Sequence, residues 1–310
     1  MPGFFIHLPI ANVSVHIFML LGLGLIVGFL SGLFGVGGGF LLTPLLMMIG
    51  IPPTVAAASD ANQIVAASTS GTLAHWRLGN VDFKMGILLV TGGVIGGTAG
   101  VQLIKILRAA GNADFVIKIT YVVMLGIIGS YMFQESLRNL RPHPFQSTGL
   151  KPHKKSWFAD CCNALPLVIR FEKSGITLSI FIPLILGTIV GVLSALMGVG
   201  GGFIMVPVMV YMLRMPMHAV VGTSLFQVLF TCIVVTFMQS YYNHTVDILL
   251  AVFLLIGSSV GAQFGARMGY RMKADQLKIF LASIVLLVMV KMALDLLLRP
   301  DAFLSYPGGL

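Results

Sequence analysis

Long apolar stretches, separated by short polar ones, cover most of the chain. No Asp, Glu, Lys or Arg precedes Asp60, and further uncharged runs extend from Met85 to Ile104 and from Ser174 to Leu213. A helix needs about 20 apolar residues to cross the hydrocarbon layer of a bilayer. The pattern therefore predicts an all-α polytopic membrane protein. Eight membrane-spanning helices are expected, at residues 14–34, 54–76, 84–107, 114–134, 177–197, 217–241, 247–270 and 275–298.

The segment between the fourth and fifth predicted helices has a different composition. Residues 135–173 hold seven basic and three acidic side chains, together with Pro142, Pro144 and Pro152, and prolines interrupt helices. We therefore predict three parts: a first transmembrane repeat at 1–134, a polar basic linker at 135–176 and a second transmembrane repeat at 177–310.

The two predicted repeats share three sequence landmarks in the same order. Residues 35–44 read GVGGGFLLTP and residues 198–207 read GVGGGFIMVP, at an offset of 163. At an offset of 165, Val81 and Asp82 match Val246 and Asp247, and a series of glycines spaced by four residues also recurs. This order and spacing indicate an internal duplication into two four-helix halves. The glycines spaced by four residues favour close helix packing.

The duplicated glycine triplets predict a broken or re-entrant helix in each half. Each glycine costs about 1 kcal/mol relative to alanine inside a helix, and unwound backbone within a membrane occurs where protein buries it or where it lines a cavity. Paired breaks in duplicated halves mark the substrate site of many transporters. Glycines at the start of a half-helix leave N–H groups accessible to an anion. The predicted substrate-binding residues here are Gly37, Gly38, Gly39, Phe40, Gly200, Gly201, Gly202 and Phe203.

These paired GVGGGF-x-x-x-P segments, with GTSLFQ at 222–227 in the second half, resemble the sulfite exporter TauE/SafE family of membrane permeases. The resemblance covers nearly the whole chain apart from the linker. It implies transport of small sulfur-containing anions, such as sulfite, sulfoacetate or thiosulfate, with export as the activity that names the family. We expect an integral protein of the bacterial plasma (inner) membrane.

One acidic residue lies inside a predicted membrane helix. The first half has SDANQ at 59–63 where the second has GTSLFQ, and we align Asp60 with Thr223. A carboxylate within the membrane is costly and is a functional candidate. Asp60 is therefore a candidate coupling residue that carries a proton alongside or against the substrate. The alternative is that it caps a helix start or faces water.

Uncharged polar side chains accompany Asp60 on the second and sixth predicted helices. Amide groups can donate hydrogen bonds to an oxyanion without adding charge. The further substrate-binding candidates are Asn62, Gln63, Thr223, Ser224 and Gln227. Gln63 and Gln227 are favoured because they match at an offset of 164, whereas intramembrane hydroxyls often bond their own backbone.

His75 and Arg77 end the second predicted helix on either side of Trp76. An aromatic residue beside basic ones is typical of anchoring at the membrane interface. The alternative is that His75 and Arg77 attract anions into a vestibule.

Composition limits the classes of function. Charged residues make up 9% of the chain and its net charge is +9, but no nucleic-acid module accompanies the basic residues. We expect membrane lipids and a small sulfur-containing anion as partners, and no binding of nucleic acid. A homodimer is a further possibility. Since no catalytic triad, metal-ligand cluster or cofactor motif is recognisable, we expect no enzyme activity, no metal and no cofactor.

The favoured function is a secondary transporter acting as an exporter, driven by a proton gradient or the membrane potential because the sequence contains no ATP-binding motif. A passive anion channel and an uptake permease for another small anion stay open as alternatives. Basic residues crowd both predicted faces, so the positive-inside count does not distinguish them. The favoured orientation has cytoplasmic termini and a cytoplasmic linker.

Overall fold

The computed structural model describes residues 4–34, 39–140, 167–171, 173–213, 215–269 and 274–298. These residues are mostly helical. The helices are α1 (Ile17–Phe34), α2 (Gly39–Met48), α3 (Pro53–Arg77), α4 (Phe83–Ala109), α5 (Ala113–Leu140), α6 (Phe181–Met197), α7 (Gly202–Pro207), α8 (Met217–Met238), α9 (Ile248–Gly269) and α10 (Ala274–Leu298). Two π-helical segments, Val208–Met212 and Gln239–Asn243, continue α7 and α8.

Two β-hairpins precede α1 and α6, and they correct the all-α prediction. Strands β1 (Phe5–Leu8) and β2 (Val13–His16) pair antiparallel, as do β3 (Val168–Phe171) and β4 (Ile176–Ser179). Both second strands contain the β-branched residues that favour extended backbone. Predicted helices starting at 14 and 177 therefore begin a few residues later, at Ile17 and Phe181.

Each of the eight predicted helices coincides with an observed one to within a few residues. The largest difference is at α5, which runs on to Leu140, into the predicted linker. Residues 135–140 contain no proline or glycine, and the residue before Pro142 is disfavoured in a helix. Most of the linker, residues 141–166, lies outside the described residues.

Among the described residues, five helical stretches are long and apolar enough to cross a membrane: Phe83–Ala109, Ala113–Gln134, Ala219–Asn243, Ile248–Gly265 and Ile279–Leu298. Three shorter apolar stretches are Ile17–Ser31, Gly39–Met48 and Phe181–Met197. Helix α3 is less apolar because it carries the polar run around Asp60. These helices are those of a polytopic membrane protein.

Each of the closest helix pairs joins a helix of the first half of the chain to one of the second half. Helix α1 packs along α9 and α4 packs along α6, while α3 contacts α8 and α5 contacts α10. Glycines permit the closest contacts: a Cβ atom on Gly96 would collide with the carbonyl oxygen of Thr188, and one on Gly28 with the backbone of Ser258. The prediction that these glycines allow close packing is confirmed at both positions.

Helices α3 and α8 run in opposite directions through the centre of the molecule. The side chain of Leu225, near the start of α8, lies 3.0 Å from the position of a Cβ atom on Gly71, near the end of α3. Gly222 likewise lies beside His75. The two helices that carry the predicted polar site residues therefore face each other antiparallel.

Candidate functional site

The second glycine motif breaks the helix, as predicted. Helix α6 ends at Met197, and Gly198, Gly200 and Gly201 have φ angles of +70°, +69° and +79° before α7 begins at Gly202. Side chains disfavour this left-handed region by about 1–2 kcal/mol, which explains the need for glycine here. The first motif lies between α1 and α2, and its Gly37 and Gly38 are outside the described residues.

The two motifs meet. The rings of Phe40 and Phe203 stack with their centroids 4.2 Å apart and an interplanar angle of 4°, and both side chains are buried. Ile64 of α3 contacts the position of a Cβ atom on Gly39 and also that on Gly200. The structure thus brings Gly39, Phe40 and the second glycine triplet to one face of α3.

Neighbouring side chains close the second break in this conformation. A Cβ atom on Gly200 would lie 2.6 Å from the Cys232 sulfur and 2.7 Å from Val228 Cγ1, and one on Gly201 would collide with Val190. Side chains of α6 and α8 therefore pack directly against the second break.

The second break ends where α7 begins. The carbonyl oxygen of Gly201 accepts hydrogen bonds from the backbone N–H groups of Ile204 and Met205, which form the first turn of α7. The backbone N–H groups at the start of such a half-helix point toward the break and are the kind of donor that an oxyanion can bind.

Asp60 lies beside the start of α2. It is fully buried, and its Oδ2 accepts a hydrogen bond from the hydroxyl of Thr43 at 2.7 Å. The same oxygen lies 3.3 Å from the position of a Cβ atom on Gly39. Its Oδ1 has no hydrogen-bond partner among the described residues. Asp60 therefore faces the first turn of α2, and neither caps its own helix nor faces water.

The alignment of Asp60 with Thr223 was wrong by one residue. The hydroxyl of Ser59 accepts a hydrogen bond from the backbone N–H of Asp247 at 3.1 Å, and that of Thr223 accepts from the N–H of Asp82 at 3.0 Å. Since these bonds are equivalent, Ser59 matches Thr223 and Asp60 matches Ser224. The error arose because one residue is gained between the first motif and this segment.

Asp82 and Asp247, which mark the internal duplication in the sequence, each form a cluster of structural hydrogen bonds. Their Oδ1 atoms cap α4 and α9, accepting from the N–H groups of Met85 and Leu250 at 3.2 Å. Their Oδ2 atoms accept from the turns of the two hairpins. Ser174 donates its N–H at 3.1 Å and its hydroxyl at 2.6 Å to Asp82.

Ile10 donates its N–H to Asp247 at 3.2 Å. Each of these carboxylates therefore fastens one half of the chain to a hairpin of the other half. Thr223, which contacts Asp82, has this structural role and does not lie at the breaks.

The remaining polar candidates separate into two groups. Gln63 and Gln227 are buried, and the Oε1 atom of each has no partner among the described residues. Gln227 donates through Nε2 to Thr231 at 3.1 Å. Asn62 is only half-buried and, two residues on from Asp60, lies about 200° around the helix from it. Ser224 donates to the carbonyl oxygen of Val221 in its own helix.

His75 and Arg77 lie far from the breaks. Fifteen residues separate His75 from Asp60, which is about 22 Å along a helix. His75 is half-buried and its Nδ1 lies 3.4 Å from Nδ2 of Asn80, while Arg77 is exposed. They belong to the outer end of α3.

Four residues near the breaks were missed by the sequence analysis: Thr43, Tyr121, Ser194 and Cys232. Tyr121 donates its hydroxyl to the carbonyl oxygen of Met197, where α6 ends. Ser194 is buried beside the break and its hydroxyl has no partner among the described residues. Thr43 could have been found, because the second motif has Val206 at its position. Tyr121 and Cys232 are not distinguished by any local sequence pattern.

Apolar helices, with two glycine motifs that meet beside buried polar side chains, define an integral membrane protein of the transporter class. The model of the family described as Sulfite exporter TauE/SafE matches residues 20–292, and the chain belongs to this family. This is a family of membrane transporters and not of enzymes.

Similar proteins carry names consistent with this class. "Probable membrane transporter protein YjnA" of Bacillus subtilis is 28% identical over 273 residues, covering 87% of this chain and 97% of its own. "Probable membrane transporter protein YunE" of the same organism is 26% identical over 67% of this chain and 72% of its own. "Sulfite exporter TauE/SafE family protein 1" of Arabidopsis thaliana is 30% identical over 34% of this chain and 24% of its own. No solved structure matches significantly.

Proposed function

We propose that the protein is a secondary transporter that exports small sulfur-containing anions, such as sulfite or organosulfonates, across the bacterial plasma (inner) membrane. The observation that carries this proposal is the meeting of the two glycine motifs at Phe40 and Phe203, next to buried polar groups without partners. The family name supports a sulfur oxyanion as the substrate class.

In the proposed architecture, two repeats of opposite membrane orientation, α1–α5 and α6–α10, enclose the substrate. The reciprocal contacts of α1 with α9 and of α4 with α6 support this arrangement, as does the antiparallel crossing of α3 and α8. A two-fold axis in the membrane plane then passes near the Phe40 and Phe203 rings. Substrate sites of transporters built from inverted repeats lie at such an interface, near the bilayer midplane.

The proposed binding groups are neutral donors. These are the backbone N–H groups of Gly200, Gly201 and Gly202, together with the side-chain amides of Gln63 on α3 and Gln227 on α8. Neutral donors hold an oxyanion without the strong Coulomb attraction of a lysine or arginine, so release remains fast. Gly37 and Gly38 are proposed to contribute in the same way.

Lipids and a second copy of the chain are the other proposed partners. Apolar side chains such as Ile87, Ile95 and Leu287 are exposed on the outer faces of their helices, where lipid tails would cover them. A homodimer stays a prediction, to be tested by measuring the mass of the purified protein in detergent.

Flux into and out of proteoliposomes tests the function. Vesicles with purified protein are loaded in turn with sulfite, sulfoacetate, taurine, thiosulfate, sulfate or a carboxylate, with and without a proton gradient. We expect sulfite or a sulfonate to move fastest, and to accumulate against its own gradient when a proton gradient or membrane potential is imposed. Purely downhill flux would indicate a channel, preference for a carboxylate would indicate another permease, and no flux of any anion would contradict transport.

A matched pair of glycine variants links flux to the break. Gly202→Leu places a side chain against Val228, whose Cγ2 lies 3.1 Å from the position of a Cβ atom. Gly22→Leu is the control, because nothing lies within 4 Å of that position. We expect Gly202→Leu to abolish flux and Gly22→Leu to retain it. Equal flux from both folded variants would remove the second break from the transport path.

A further inference from the structure

The two breaks differ in the charge beside the half-helix that follows each. Gly39 and Gly202 are the equivalent last glycines of the two motifs. A Cβ atom on Gly39 would face Ile64 and, at 3.3 Å, the Oδ2 atom of Asp60, whereas one on Gly202 would face only Val228. The half-helix α2 therefore begins against a carboxylate, and α7 begins against an apolar side chain.

This difference in charge arises from two positions at which equivalent residues of the two halves differ. Asp60 corresponds to Ser224, whose hydroxyl is bonded to Val221 of its own helix. Thr43, which donates to Asp60 at 2.7 Å, corresponds to Val206. A carboxylate and the hydroxyl that holds it thus occur together in the first half, and both are replaced in the second.

We propose that Asp60 is a tethered anion: in its charged form it occupies the anion-binding position at the start of α2, and a transported anion binds there only when Asp60 is protonated. This proposal rests on the proposed function, because it assumes that small anions reach the breaks. Its ligand class is a small oxyanion bound together with one proton.

The physical reason is competition for one site of positive potential. Helix α2 has ten residues, and the positive end of its dipole stabilises a single negative charge beside its first turn. A second anion next to a charged Asp60 meets like-charge repulsion in a buried setting, where screening is weak. Protonation removes that repulsion and also makes the carboxyl group a hydrogen-bond donor.

An independent observation supports a ligand at Asp60. Its Oδ1 is fully buried and makes no hydrogen bond with a described residue, although Oδ2 is held by Thr43. A buried carboxylate oxygen without a partner is unusual and calls for a proton or a ligand. When Asp60 is protonated, a proton on Oδ1 can be donated to the oxyanion.

Within the part of the chain that the structure describes, few other titratable groups face Asp60. Tyr121 of α5 and Cys232 of α8 lie close enough to feel its charge, and neither α2 nor α6 contains a titratable side chain. Asp114, at the start of α5, is bonded to the N–H of Thr54, and Asp247 to groups at the start of α9. A pH dependence of anion binding at this position is therefore assigned to Asp60.

Binding of methanesulfonate to the purified full-length protein, measured by titration calorimetry at several pH values, tests the proposal. Methanesulfonate keeps one negative charge throughout, so any pH dependence belongs to the protein. We expect binding to tighten as pH falls, by up to about tenfold per pH unit while Asp60 is charged. Asp60→Asn, which cannot become charged, is expected to bind equally well at every pH and more tightly than wild type at alkaline pH.

Two variants make the result specific to this carboxylate. Ser224→Asn, at the equivalent position of the other half, is expected to keep the wild-type pH dependence. Thr43→Val removes the hydroxyl that holds the charged carboxylate, and is expected to tighten binding at alkaline pH. Thermal unfolding of each variant in detergent checks that it is folded.

Each outcome bears on the proposal. Binding that is independent of pH in wild type, or equally pH-dependent in Asp60→Asn, would overturn it while leaving transport intact. Loss of pH dependence in Ser224→Asn as well would also contradict it. Absence of methanesulfonate binding in every variant would refute the anion site at α2, whereas the proposed function itself fails only if no anion of the flux panel is transported.

Discussion

The ring of Phe40 lies flat against that of Phe203, with 4.2 Å between their centroids. Each phenylalanine follows the last glycine of its own motif, so the pair joins the two places where the chain leaves helical geometry. Because both rings are buried, this contact fixes the distance between the half-helices α2 and α7.

The stacked pair is expected to stabilise the folded protein cooperatively. Phe40→Leu and Phe203→Leu should each lower the free energy of unfolding, and their effects should not add, with a coupling of about 0.5–1.5 kcal/mol. Chemical unfolding of both single variants and the double variant in detergent measures this coupling. Phe264→Leu, at a position that is 59% exposed, should change stability little. Additive effects of the two substitutions would show that stacking contributes nothing.

Gly201 should tolerate no side chain without loss of stability. Its φ of +79° is in the left-handed region, and a Cβ atom would collide with Val190. Gly201→Ala is expected to lower the free energy of unfolding by about 1–3 kcal/mol. Gly202→Ala should cost less, because Gly202 has no positive φ and its Cβ position lies 3.1 Å from one methyl group of Val228, a shortfall of only a few tenths of an ångström. A larger cost at Gly202 than at Gly201 would contradict this reading of the break.

The contact between α4 and α6 should depend on Gly96. A Cβ atom there would overlap the carbonyl oxygen of Thr188 in the facing backbone. Gly96→Ala is therefore expected to destabilise the protein by about 1–3 kcal/mol. Gly22→Ala has no neighbour to displace and should be neutral or slightly stabilising, since alanine favours helix. Comparison of thermal midpoints at matched detergent concentration decides between these expectations, and equal midpoints would contradict them.

Asp82 and Asp247 should contribute to stability rather than to substrate binding. Removing either side chain by Asp82→Ala or Asp247→Ala deletes a helix cap and a bond to a hairpin, at an expected cost of about 1–3 kcal/mol. The substrate affinity of the folded fraction should not change. Asp295→Ala, at an exposed position of α10, is the control. A tenfold loss of affinity with normal stability would instead place these residues in the binding site.

The helices could be predicted because their signal is local. A run of about twenty apolar residues in a membrane has few alternatives to forming a helix. The glycine motif also predicted correctly that the helix is interrupted between Met197 and Gly202. The hairpins were missed because four-residue strands next to an apolar helix have no separate hydrophobic pattern. The prolines after Leu140 located the end of α5 only approximately, since a helix can continue almost up to a proline.

The site was predicted less well, for a different reason. The partners of Asp82 and Asp247 lie 92 and 237 residues away in sequence, and no local pattern reports contacts of that kind. Asp60 could be predicted because placing a carboxylate in a membrane has a high free-energy cost. Its partner Thr43 was not predicted, because attention to the first motif was given to its glycines. The one-residue error at Thr223 followed from aligning short segments without the loop between them.

The hydrogen bond from Ile10 to Asp247 has a consequence for biosynthesis. The ribosome synthesises the first hairpin long before it synthesises Asp247. The hydrogen bond from Ile10 to Asp247 can therefore form only after about four-fifths of the polypeptide has been made. Truncated nascent chains ending before residue 247 are therefore left with this hairpin undocked, and the assembled molecule closes only as its last two helices arrive.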